Sequence, residues 1–252
     1  MNAIPRPAIH WFHFSSPPEF FRLTGILAPI AFSVAAVLGA IGLYLAFFVV
    51  PTDAVQGDAY RIIFIHVPTA WMAMFIYAVM AFWAGMGVVF NTRMSAVMAL
   101  GLAPTGASMA FLSLWTGALW GRPSWGTYWD WDIRMTSTLI LLFLYLGFIA
   151  LHGAIDDIRR ADRAAGILAL VGVVNLPIIY FSVIWWNSLH QGPSITATRA
   201  PTIATPMLVA MLVMVFAVWL YCIGAALTRA RALVLERERE AEWVRDLAGS
   251  AR

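Results

Sequence analysis

The sequence predicts an all-α, polytopic integral membrane protein: a bundle of six transmembrane helices with both termini in the cytoplasm. Three observations carry that expectation. Hydrophobic residues make up 62% of the 252 and charged ones only 12%, with a mean hydropathy of +0.79, whereas a soluble domain is about 25% charged. The charges bound six uncharged intervals of membrane-spanning length, and the arginines divide twelve to four between the two ends of those intervals.

The intervals follow from the cost of an ionised side chain near the bilayer centre, about 2.5–3.5 kcal/mol. They run from Arg22 to Asp53, Arg61 to Arg93, Arg93 to Arg122, Arg134 to Asp156, Arg163 to Arg199 and Arg199 to Arg229. Each exceeds the roughly 20 residues that cross a hydrocarbon core of about 30 Å. Helices are expected near 25–50, 67–90, 97–119, 136–153, 166–186 and 205–227.

Before the first helix, Pro5, Pro7, Pro17 and Pro18 oppose helix formation up to Glu19, so this segment is expected to be irregular or interfacial. The apolar run after it is too long for a signal-peptide core and lacks an A-x-A site, so the first helix is expected to stay uncleaved. Pro104, Asn175 and Pro177 interrupt helices three and five. They mark either a polar path through the bundle or kinks satisfied by neighbouring helices, the commoner case. Beyond the sixth span, charges alternate with Leu233, Val234, Trp243 and Val244, and Glu236/Arg239 and Glu242/Arg245 have helical spacing. Residues 1–228 are therefore expected to form one membrane domain and residues 229–252 a cytoplasmic helical tail.

Only Arg61, Arg122, Arg134 and Arg199 lie opposite the termini, which puts the arginine-rich terminal side in the cytoplasm. The net charge of +3 arises from 16 arginines and no lysine, dispersed between apolar segments without the contiguous basic face of a nucleic-acid binder. A single cysteine, Cys222, excludes an internal disulfide, a CxxC redox pair and a Cys-ligated cluster within the chain. No G-x-x-x-x-G-K-[ST] loop is present, so nucleotide energy would have to come from another chain.

The outer face, opposite the termini, holds the unusual residues. Trp115, Trp120, Trp125, Trp129 and Trp131 fall within seventeen residues, interspersed with Gly121, Gly126, Asp130 and Asp132. An aromatic belt explains one or two tryptophans at a helix end, not a dense loop broken by glycine and aspartate. If the segment from Trp125 is helical, Trp125, Trp129 and Asp132 share a face, forming a platform for a large planar ligand.

Two histidines flank that loop: His66 at the start of helix two and His190 after helix five. His10, His13 and His152 lie on the terminal side. Two imidazoles approaching one metal from opposite sides suit low-spin haem iron, whose porphyrin supplies the equatorial ligands. Zinc would want three or four protein ligands and gives no reason for the tryptophans. Arg61 and Arg134 are placed to meet the haem propionates, or else to pair locally with Asp58 and with Asp130 or Asp132. Both readings stand, with Arg122 and Arg199 as weaker candidates for the propionates.

The run Trp125-Gly-Thr-Tyr-Trp129-Asp-Trp131-Asp132 matches the WGxxWxWD signature of a haem-handling family, and with the segments Gly57 to Pro68 and Trp185 to Gly192 the chain resembles the CcmC family of cytochrome c maturation. The resemblance covers all six spans. It implies that His66 and His190 are axial ligands of haem b carried as cargo, and that Trp125, Trp129, Trp131 and Asp132, with Trp120 beside them, belong to the haem-binding motif. It also implies a bacterial inner-membrane protein whose site faces the periplasm. Such a protein presents haem for covalent loading onto the chaperone CcmE, working with CcmD and the CcmA–CcmB transporter, and is not itself an enzyme. Asp130 occupies a variable position of the motif.

Two other functions compete. A membrane haem b protein exchanging electrons with quinone usually buries its histidine pair within helices, whereas both histidines here sit at helix ends on one side. A non-haem assembly scaffold would use the tryptophans only as lipid and partner anchors.

Overall fold

The computed structural model describes residues 16–186, 188–192, 194–195 and 200–250. His10, His13 and Arg199 lie outside the described residues.

Among the described residues the regular structure is helical, with no strand beyond an isolated bridge between Asp53 and Gly57. Helix α1 spans Pro17–Tyr44 and continues through a π-helical turn at Leu45–Val49. A short 3₁₀ turn, Asp58–Ile62, leads into α2 (Ile63–Phe90), followed by α3 (Arg93–Trp125) and α4 (Ile133–Gly153). Helices α5 (Ile158–Gly172) and α6 (Asn175–Trp185) together make one span, α7 (Thr205–Arg237) makes the last, and α8 (Glu242–Ser250) follows. Six segments are long and apolar enough to cross a membrane, so the expected polytopic bundle is the architecture found.

Several boundaries differ from the sequence reading. Helix α1 begins at Pro17, because proline in a first turn sacrifices only N–H groups that have no intrahelical partner. Helix α3 runs from Arg93 to Trp125, through Pro104 and Pro123, well past both expected ends. At the α5–α6 break, Asn175 is buried and its Nδ2 donates to the Ser137 carbonyl of α4 at 2.8 Å. The interruption is thus satisfied by a neighbouring helix. Helix α7 passes residue 229 unbroken. Of the charge pairs suggested by spacing in the tail, neither Glu236/Arg239 nor Glu242/Arg245 forms an ion pair; Arg93 meets Glu238 at 3.4 Å instead.

The bundle closes by packing α1 on α7 and α2 on α3. Helix α3 is central, and its buried face is built from Ala96, Ala99, Gly101, Ala103, Gly106, Ala107 and Ala110. Small residues let helices approach closely in a setting where lipid offers no hydrophobic drive to associate. The Tyr145 ring of α4 fills the space that Gly106 leaves, donates to the Ala73 carbonyl at 2.8 Å and meets Tyr77 edge-on at 5.0 Å. A Cβ at Gly106 would overlap that ring. Gly106→Val is therefore expected to cost at least the ~1–3 kcal/mol of core overpacking, seen as lower yield and a lower unfolding temperature, whereas Gly153→Ala, which meets nothing within 4 Å, should be neutral.

Both described ends of the chain lie at one end of the bundle. The Arg231 guanidinium of α7 stands 3.8 Å over the Phe21 ring, and Trp243 of α8 packs on the same ring at 5.7 Å. The tryptophan-rich loop and both outer histidines are at the opposite end.

Candidate functional site

The site grows from three loops and the helix ends that carry them. In the first loop, Asp53 accepts the backbone N–H groups of Val55 and Gln56 at 2.9 and 2.8 Å, and Gly57 takes φ +59°, a left-handed turn that suits glycine. The turn points Tyr60 inward and Gln56 toward α3, where its Oε1 accepts from Trp120 Nε1 at 2.6 Å and from Ser124 Oγ at 3.2 Å. The Trp120 ring, thus anchored, meets His66 and Tyr60 edge-on at 5.7 and 5.8 Å.

His66 occupies the first turn of α2. Its Nδ1 lies 3.0 Å from Thr116 Oγ1, and that hydroxyl donates to the Leu112 carbonyl at 2.6 Å. With its one proton committed to Leu112, the threonine oxygen accepts from His66, which places the imidazole proton on Nδ1 and leaves the Nε2 lone pair free. Gly117 makes room for the ring: a Cβ there would stand 3.0 Å from His66 Cε1.

His190 is held from the other side. The Trp125 ring packs on it at 4.9 Å, and its backbone N–H donates to Ser188 Oγ at 3.2 Å. Asp132 serves two elements at once. Its Oδ1 caps α4 by accepting the Met135 N–H at 2.7 Å, while Oδ2 accepts from Ser188 Oγ and faces His190 Nδ1 at 3.5 Å. That separation is an ion-pair distance longer than a hydrogen bond, and the buried Nδ1 has no other partner. Burial pushes the Asp132 carboxyl up, but the facing His190 imidazole and the hydrogen bonds from Ser188 and the Met135 amide outweigh it and bring it down to about 2. It is therefore anionic at neutral pH.

His66, His190, Trp120 and Arg134 line one cavity of about 150 Å³, roofed by Gln191, Gly192, Ile195 and Ile203 of the third loop. Arg134 makes no side-chain hydrogen bond or ion pair within 4 Å among the described residues, so the close local pairing weighed for it does not form, and the Asp132 charge acts on it only from a longer distance. For Arg61 the local pairing does form: Nε meets Asp58 at 2.9 Å, and Nη1 donates to the carbonyls of Ala46 and Val50 at the end of α1. Arg61 does not line the cavity. Arg122 turns back on its own loop, bonding the Gly126 carbonyl and facing the Tyr128 ring at 5.8 Å.

The helical tryptophan platform is not present. Helix α3 stops at Trp125, because Gly126 adopts φ +81° and caps it on the Arg122 carbonyl, and residues 126–132 are irregular. Asp132 therefore begins the next helix instead of continuing a face with Trp125 and Trp129. Trp129 packs edge-on to Trp131 at 5.4 Å with its own Nε1 buried and unpartnered. Trp131 is 74% exposed. Neither lines the cavity.

Sequence reasoning missed Gln56, Thr116, Gly117 and Ser188. Gln56 had a signal, since a buried indole N–H needs an acceptor and an uncharged amide in the facing loop is suited to provide one. Thr116 and Gly117 meet His66 only across the α2–α3 packing. Among the described residues no group of three or more His, Cys, Asp or Glu converges, and the cavity offers two histidine nitrogens.

Comparison with known proteins places these residues in context. The family CcmC, described as heme exporter protein C, matches residues 10–245. Heme exporter protein C of Haemophilus influenzae is 42% identical over 239 residues, covering 94% of this chain and 97% of the relative. Its counterpart in Escherichia coli strain K12 is 44% identical over 232 residues, 92% and 93% of the two chains. That of Paracoccus denitrificans is 35% identical over 234 residues, 92% and 97%.

Proposed function

The chain belongs to the heme exporter protein C family, and from that premise we propose that it holds haem b as cargo between His66 and His190 and presents it for covalent loading onto the chaperone CcmE. Its broader role is haem export in cytochrome c biogenesis, as a multi-pass membrane protein. In this reading the site faces the periplasm, across the bacterial inner membrane from the arginine-rich termini, and the partners are CcmE, CcmD and the CcmA–CcmB transporter. The chain acts as a haem-handling component, with the bond-forming chemistry left to its partners.

The observation that carries the reading is the shared cavity in which two histidines have Nδ1 turned to protein and Nε2 without a partner among the described residues. A protein acceptor on the far nitrogen fixes the tautomer and raises ligand basicity, as outer-shell groups do at metal sites. Thr116 does this for His66, and the Asp132 carboxylate faces His190 Nδ1 at 3.5 Å in the same position. Arg134, a half-buried cation with no direct ion pair among the described residues, suits a propionate. Arg61 braces the first loop against α1.

The donor set fits haem, but the cavity volume does not. About 150 Å³ falls short of the ~300–1,000 Å³ of typical cofactor sites, so the haem lies partly outside it, at the cavity mouth. Trp125, already against His190, then covers the ring, and the exposed Trp131 offers an aromatic edge at the rim. Trp125→Ala is expected to weaken haem retention about tenfold, the ~1.4 kcal/mol equivalent of a lost aromatic contact. Arg134→Gln should weaken it to a similar degree, with Arg134→Lys partly restoring it. Haem dissociation followed by transfer to apomyoglobin checks both, and unchanged rates in both variants would contradict the covering and counter-ion roles.

A further inference from the structure

A second cavity lies at the opposite end of the bundle, beside the termini, and it is much larger: about 820 Å³. Its walls are apolar surface of α2, α3, α4 and α5, including Val88, Val97, Leu100 and Phe148, and its rim is basic. Five arginines and two carboxylates line it. Both carboxylates are occupied: Asp162 by Arg237, at 2.6 and 2.9 Å, and Glu238 by Arg93 at 3.4 Å. Arg159, Arg160 and Arg163, on the first turns of α5, are left without a side-chain partner among the described residues and are exposed to solvent.

One histidine lines the same cavity. His152, at the end of α4, has Nε2 held by Asp162 at 3.0 Å, and its Nδ1 has no partner among the described residues. Asp162 in turn is fixed by Arg237 from α7, so the imidazole is oriented by a network joining three helices. A carboxylate behind a histidine whose other nitrogen is free repeats the chemistry of the outer site.

We propose that this terminus-side cavity is a second porphyrin site, an acceptance site where haem is taken up before it reaches His66 and His190, with propionates on Arg159, Arg160 and Arg163 and the iron facing His152. The proposal rests on the haem-handling reading of the outer site. Its volume of about 820 Å³ lies inside the ~300–1,000 Å³ range of ligand clefts and cavities, unlike the outer cavity, and an apolar pocket with unpaired guanidinium groups at its lip matches a flat apolar ring with carboxylates on one edge. A protein that exports haem needs a place to receive it on the side where it enters.

The test is haemin titration of the full-length protein in detergent, followed by absorbance, for four forms: wild type, His66→Ala/His190→Ala, Arg159→Gln/Arg160→Gln/Arg163→Gln, and the combination. Wild type is expected to bind a haemin at each end, the first two variants to lose one each, and the combined form to bind none. Complete loss in the histidine variant overturns the second site and leaves the outer reading intact. Full binding in the histidine variant with loss in the arginine variant overturns the outer reading while supporting this one. Unchanged binding in the arginine variant overturns the proposal, as does arginine-dependent retention of phosphatidylglycerol in place of haemin. His152→Ala in the histidine variant background should keep stoichiometry and shift the Soret band, and an unshifted band would remove His152 as the iron donor.

Discussion

Replacing both His66 and His190 with alanine is expected to abolish haem retention at the outer site and, with it, covalent loading of CcmE. In the proposed ligation each imidazole would supply one axial bond, and each is held by a separate element: His66 by Thr116 of α3, His190 by Trp125 and the Asp132–Ser188 pair. Losing an outer-shell partner of a metal ligand costs about 10–100-fold in affinity, and losing the ligand itself should exceed that. The single variants should retain haem more weakly, each through the remaining histidine. Both residues sit at a helix start or in a loop, away from the face of residues 96–110 on which α3 packs in the bundle core, so circular dichroism and membrane insertion should be unchanged. Wild-type transfer by the double variant would contradict the ligand assignment.

The second large effect is expected at Asp132, whose carboxylate links α4 to His190. Asp132→Ala removes the cap on the Met135 N–H, worth ~0.5–2 kcal/mol, and the acceptor facing His190 Nδ1. Asp132→Asn keeps a capping oxygen and the side-chain shape but loses the charge, so it isolates the second role. Both variants should lower haem affinity about 10–100-fold, and only the alanine form should also lower thermal stability. The sign of the pH dependence follows from the carboxyl lying at about 2 against an ordinary 3.8. Its stabilising contribution is complete above the ordinary value and is lost only as pH falls toward 2. Wild-type retention should therefore owe nothing to Asp132 titration near neutrality. Equal affinity of wild type and Asp132→Asn, by equilibrium titration, would show that His190 needs no carboxylate.

How much of this was legible in the sequence varies by level. The six spans follow from charge spacing because bilayer energetics penalise a buried ion whatever the tertiary structure, and all six are found. Their ends were legible less well. Arg93 begins α3 and Arg122 lies in its last turn, so charge marks where a helix leaves the hydrocarbon and not where it stops. The conjunction of His66, His190, Trp120 and Arg134 in one cavity was legible as residue types on one face. The tryptophan platform was misread because a single left-handed glycine, Gly126, ends α3 before the pattern can form.

What the sequence hid were contacts made only by packing. Thr116 is an ordinary helix residue until α2 brings His66 against it, and the pairing of Asp162 with both His152 and Arg237 joins positions far apart in the chain. Nor does composition report cavity volume. The contrast between about 150 Å³ at the histidine end and about 820 Å³ at the terminus end arises from tertiary packing of several helices.

The most direct test of the central claim is the low-temperature EPR and absorption spectrum of the full-length protein loaded with ferric haem through the outer site, with the arginine-rich cavity disabled by Arg159→Gln/Arg160→Gln/Arg163→Gln. Ligation by two imidazoles predicts a low-spin signal with sharp reduced bands, converting to a high-spin signal when either His66 or His190 is alanine. A low-spin spectrum that survives both substitutions, or a high-spin spectrum in the protein with both histidines present, would contradict axial ligation across the outer cavity.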